Sequence, residues 1–117
     1  MINKSNLETL NEIYLHDMEL FDINIDYAGH KVEIHLYDEQ KNKHKMIFEH
    51  MQYFLISGFE PWGEGMYVNE VKTITTGIEN LIKTDGEYDV NADAFMMEML
   101  LNSGDKINII SNKIQYE

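Results

Sequence analysis

A chain of 117 residues with 21 acidic and nine basic side chains carries a net charge of -12, and it contains no cysteine. All nine bases are lysines, and so acidic a surface, without arginine's planar fork, repels nucleic acid and anionic membranes. The missing thiols exclude disulfides and thiolate metal sites, and no stretch approaches the roughly 20 apolar residues of a membrane span or the apolar heart of a signal peptide. The length is that of one domain, residues 1–117, able to bury roughly two thirds of the surface of its unfolded chain. The expected location is the cytoplasm. Acidity serves solubility first, and it also attracts basic protein partners.

The first predicted element is a short helix over residues 3–13. Asn3 or Ser5 is its cap, and Leu7, Leu10, Ile13 and Tyr14 share one side. From Met18 to Tyr27 the period becomes two, with Phe21, Ile23, Ile25 and Tyr27 alternating with Asp22, Asn24 and Asp26. "AGH" is a tight turn in which Gly29 is free to take positive φ, and Val32, Ile34 and Leu36 form the returning strand. After the polar tip "DEQKNKHK" comes Met46 to Ile56, apolar on both parities after Gln52, as in a strand covered on both faces.

"GFEPWGEG" interrupts this pattern with three glycines and the only proline. "MYVNEVKTITT" is a further strand, "GIENLIK" a helical turn or another strand, and "TDGEYDVNAD" a loop. Ala94 to Asn102 reads two ways. Its alanine, methionines and leucines suit a helix capped by Asp93 and ended by Gly104. Its alternation, followed by "NSGD" and "KINII", suits a hairpin, which is the favoured reading. "SNKIQYE" is a last short strand or an extended tail. With no repeat and no linker, the fold class is α+β, mainly β: an antiparallel sheet or small sandwich with a short N-terminal helix.

Three stretches bear on function. In "YLHDMEL", His16 and Asp17 are consecutive, so on a strand they point to opposite faces and converge only at a bend. The apolar parity also switches between Leu20 and Phe21, which argues for a bulge there. His16, Asp17 and Glu19 therefore read first as a structural motif, well placed to bond backbone groups that the bend leaves unpaired. A histidine beside an acid is also the beginning of a general base or a metal site. The five histidines, His16, His30, His35, His44 and His50, show no metal-binding spacing. His30 and His44 fall at turn tips, His35 on the polar parity of its strand, and His50 on the parity of Phe48 and Phe54, as a core residue. No catalytic motif accompanies them.

"DGEYDVNAD" places Asp85, Glu87, Asp89, Asn91 and Asp93 at every second residue, like a calcium loop. An EF-hand needs glycine at its sixth position and glutamate at its twelfth. Val90 and Met96 stand there, so a solvated acidic loop is expected and no metal. In "GFEPWGEGMY", Trp62 sits between Glu60 and Glu64 and is followed by Met66 and Tyr67. Large aromatics in loops are typical binding anchors, and flanking acids suit a basic partner. The more ordinary reading has Trp62 fold back over an end of the sheet, aided by Pro61, and the eight methionines suit an adaptable contact face or, more commonly, an irregular core.

The opening "LHDMELFDINID", a hairpin, an aromatic strand and the closing "LLNSGDKINIISNKI" resemble small uncharacterised bacterial proteins with a Leu-His-Asp opening element. Some of these are similar to immunity proteins of polymorphic toxin systems. The resemblance implies a β-rich fold and a binding role in a bacterial cytoplasm, with a toxin as partner; it supplies no catalytic residues. The leading expectation is a non-enzymatic acidic binding protein without cofactor, in which Glu60, Trp62, Glu64, Met66 and Tyr67 face a basic partner such as a toxin domain. The alternatives are a structural, self-associating domain, or a small metal-dependent hydrolase built on His16, Asp17 and Glu19.

Overall fold

In the computed structural model, which describes residues 1–57, 67–78 and 92–117, Asn3 begins the first element. Its side chain accepts from the Ser5 amide, while Asn6 Oδ1 accepts from the Asn3 amide at 2.6 Å. These reciprocal bonds start a helix by satisfying amides that have no partner within it. The helix, Lys4–Glu12, is of the tight 3₁₀ kind, and Asn6 leaves helical dihedrals within it. Leu7 and Leu10 are buried as their spacing predicts. Tyr14 is not. The chain turns extended at Ile13, and the Tyr14 side chain stands 67% exposed.

Eight strands follow: β1 (Glu19–Asp26), β2 (Lys31–Tyr37), β3 (Lys43–Glu49), β4 (Tyr53–Ile56), β5 (Val68–Ile74), β6 (Phe95–Leu101), β7 (Lys106–Ser111) and β8 (Lys113–Tyr116). They make two antiparallel four-stranded sheets, ordered β1-β2-β3-β8 and β4-β7-β6-β5. The expected mainly-β fold with a short N-terminal helix is therefore what forms. Residues 95–101 are a strand, and residues 102–105 turn it into β7, with Gly104 at φ +92°.

The single strand expected over Met46–Ile56 is instead two strands in different sheets. His50 takes a left-handed conformation, φ 53°, and the chain bends before β4. Opposite it, β7 passes into β8 with a one-residue break at Asn112. Both strands thus cross from one sheet to the other, as at the corners of a folded-over sheet. A segment that changes sheets is apolar on both parities for the same reason as one buried on both faces: each half shows the core a different parity. His50 lies on the outside of this bend, exposed, so it is not the core histidine its parity suggested.

Between the sheets, Val32, Ile34, Leu36, Met46, Phe48, Phe95, Met97, Met99, Ile107, Ile109 and Ile114 are fully buried. The second sheet also has an outer apolar layer, where Ile78 and Ala94 cover Met96 and Ile110. Most of the described methionines fill these cores. Ile2 closes the free edge of β8, exchanging backbone hydrogen bonds with Ile114 at 2.8 and 2.7 Å.

Opposite the corner, the first residues of β1 and β5 join the sheets. Glu19 bridges Tyr67, the Asp17 amide donates to Val68 O, and the Val68 amide donates to Met18 O. Both strands then shift register, β1 between Leu20 and Asp22 and β5 between Val68 and Glu70. A bulge bends its strand, and beyond these two the edges have no further pairing among the described residues.

Candidate binding surface

The bulge predicted from the parity switch lies where the sequence put it, with one difference. Leu20 opposes Leu36, and after the shift Ile23 opposes Ile34 and Ile25 opposes Val32, so all three face the core. Phe21 is the extra residue. It turns to the outer face, stacking on Tyr37 with ring centroids 4.0 Å apart and meeting the edge of His35 at 5.9 Å.

Beyond the bulge, β1 is almost entirely uncovered. Phe21 is 38% exposed, Ile25 51% and Tyr27 87%, three of the six large hydrophobics exposed among the described residues. Asp22, Asn24 and Asp26 alternate with them on the outer face. Asn24 Nδ2 donates to Asp22 Oδ2 at 3.2 Å, and His35 Nε2 lies 3.2 Å from Asn24 Nδ2 and 3.1 Å from Glu33 Oε2. Asp26 Oδ1 accepts from the Gly29 amide at 2.9 Å. None of Asp22, Asp26 or Glu33 forms a lysine ion pair among the described residues. Asp22 and Asp26 therefore keep a net negative charge on this flank, while Glu33 faces His35.

The turn closing this hairpin corrects the role expected of Gly29. The left-handed residue is His30, φ 53°, not the glycine. Glycine is needed there for space, because a Cβ would fall 2.3 Å from Asp26 Oδ2.

His16 and Asp17 sit in the turn before β1. The Met18 amide donates to Leu15 O, and Asp17 is left-handed at φ 68°. His16 Nδ1 is 3.2 Å from Asp17 Oδ1, both side chains about half exposed. The two side chains pair with each other, while the backbone bonds of the bend are made by the main chain itself. Glu19 reaches Lys41 at 3.5 Å. A shallow recess of about 300 Å³ separates this turn from the β2–β3 loop, with Tyr14, His16 and Met18 on one side and Asp38, Gln40 and His44 on the other.

Across that recess lies a second histidine–acid pair that spacing alone did not reveal. Asp38 accepts from the Gln40 and Asn42 amides and from His44 Nε2 at 2.9 Å. The His44 bond, then the Asn42 amide, lowers its pKa from 3.8 to about 2. His44 is not at the turn tip; it is the second residue of β3 and stacks on Tyr116, ring centroids 5.6 Å apart. Burial and then the Asp38 charge push the Tyr116 phenol upward. The available signal was an aspartate followed at six residues by a histidine across a short polar loop.

Among the described residues, no three His, Asp or Glu side chains come together to hold a metal ion. No helix there is long and apolar enough to cross a membrane. Tyr67 takes part in the seam between the sheets. Glu60, Trp62, Glu64 and Met66 lie outside the described residues, as do Asp85, Glu87, Asp89 and Asn91.

No protein-family model and no curated protein matches the sequence. Among solved structures, the chain is similar to an uncharacterized protein from Neisseria gonorrhoeae, at 13% identity and a TM-score of 0.51, over 87% of this chain and 91% of that one. At that identity the likeness concerns the fold.

Proposed function

We propose that this protein is a non-enzymatic binding protein of the immunity type, acting in a bacterial cytoplasm by covering a basic partner such as a toxin domain. The observation that supports the reading is the uncovered flank of β1. It sets exposed Phe21, Ile25 and Tyr27 among Asp22, Asp26 and Glu33, none of which forms a lysine ion pair among the described residues. Aromatic and aliphatic side chains supply the contact area of an interface, and a cluster of like charges steers an oppositely charged partner onto it. The Glu60–Trp62–Glu64 loop joins this reading on its sequence alone.

Affinity capture from the source cells tests it, followed by association kinetics on whatever basic protein is retained. One stoichiometric basic partner is expected, with an association rate that falls about tenfold or more as salt screens the acids. Trp62→Ala and Phe21→Ala should each speed its dissociation. Capture of no basic protein, or an association rate indifferent to salt, removes the reading.

A further inference from the structure

The outer edge of β1 is already used for strand pairing along its first residues. Val68 and Tyr67 lie against Met18 and Glu19 there, through the Val68 amide to Met18 O at 2.9 Å and the Glu19–Tyr67 bridge. The bulges at Leu20/Asp22 and Val68/Glu70 then part the two strands. The remaining edge, from Asp22 to Asp26, pairs regularly with β2 on one side and has no strand neighbour on the other among the described residues. Free edges are usually blunted by lysine, proline or a covering loop. Residues 22–26 contain neither lysine nor proline, no loop covers them among the described residues, and apart from half-buried Ile23 they are exposed.

We infer that the Asp22–Asp26 edge of β1 is a strand-addition site for an extended basic segment of a partner protein. The inference rests on the binding role proposed above and names how the partner engages. A strand laid beside β1 puts alternate side chains on the two faces of the sheet. On the outer face its residues meet Asp22, Asn24 and Asp26, where lysine or arginine complements two carboxylates that have no lysine partner among the described residues. On the inner face its residues cover Ile23 and Ile25, and Ile25 is half exposed although it points to the core side. The guest sequence that fits alternates basic with aliphatic residues.

A second copy of β1 fits poorly. Antiparallel pairing of two copies centred on Asn24 sets Asp22 of each opposite Asp26 of the other, and like charges directly opposite destabilise a strand pair. The same charges that reject self-pairing select a basic guest.

The test uses the full chain with three blocked synthetic peptides: alternating lysine and valine, alternating glutamate and valine, and lysine–valine interrupted by proline. Amide hydrogen exchange is read by NMR, residue by residue. The lysine–valine peptide is expected to slow exchange within residues 22–26 by about tenfold or more at low salt, with loss of the effect at high salt. The proline peptide should do neither, because it cannot continue the ladder. In the double variant Asp22→Lys/Asp26→Lys the preference should reverse to the glutamate peptide, which also shows that the variant is folded. Protection elsewhere but not in β1, equal binding of the proline peptide, or a salt-stable dimer formed through β1 overturns the inference. If a basic partner is captured with salt-dependent kinetics that the double variant leaves unchanged, strand addition fails while the binding role stands.

Discussion

Strands β1 and β6 carry similar alternation and meet opposite fates. In β6, Phe95, Met97, Met99 and Leu101 are buried between the sheets, and Met96 is buried on the outside as well. In β1, Ile25 is half exposed and Phe21 is turned to solvent. The difference lies in the neighbours. β6 has strands on both sides and a second apolar layer above it, whereas β1 stands at an edge that pairs with the other sheet only as far as Glu19 among the described residues. Apolar periodicity says which face a residue takes; the width of the facing sheet says whether that face is dry.

The largest effect that sharpens this contrast is at Phe95. Phe95→Ala should cost about 3–5 kcal/mol in urea unfolding, because it empties a fully enclosed site. Tyr27→Ala should stay within about 0.5 kcal/mol, as befits a side chain in solvent. Similar costs at the two positions would break the comparison. Next comes the turn that leads into β1. Asp17→Val should lower stability by about 1–2 kcal/mol, because a branched residue resists the left-handed conformation that aspartate tolerates, while Asp17→Gly should cost nothing. Thermal melts of the pair decide it.

Gly29→Ala should cost about 1 kcal/mol, since the new methyl displaces the Asp26 carboxylate from the Gly29 amide. A matching change in the exchange of the hairpin amides would place that cost at the tip of β1. The smallest effect is electrostatic. The folded-state pKa of Asp38 lies at about 2, below an ordinary 3.8, so its contribution to stability is present above pH 3.8 and is lost as pH falls toward 2. His44→Ala should move the Asp38 titration, followed by carbon NMR, back up toward the ordinary value. It should also remove the part of the acid tolerance that depends on it.

Much of this architecture was legible in the residues. Asn3 caps the helix, the parity switch at Leu20 marks the bulge, and "NSGD" turns β6 into β7. The division of Met46–Ile56 between two sheets was not legible. An apolar stretch on both parities looks the same whether two faces cover it or it passes from one sheet to the other, and His50 at the bend resembles a core residue by parity alone. The flank of β1 was half legible. Its aromatic and acidic residues stand plainly in the sequence, but their exposure depends on where β5 departs, some fifty residues later in the chain. The placement of His16 across a recess from the Asp38–His44 pair was hidden for the same reason, since it depends on how the β2–β3 loop lies relative to the opening turn.

The short pairing of Ile2 with Ile114 has a consequence for how the molecule is made. Ile2 is 6% exposed and its ladder partner lies near the end of the described strands. During synthesis the first residues emerge from the ribosome long before the strand that holds them. Until residue 114 has emerged, β3 also lacks its neighbour β8, so the first sheet has an open inner edge. Non-local pairings of this kind form late and slowly. The first sheet is therefore completed only once β8 has been made, and until then the β2–β3 hairpin keeps an uncapped edge.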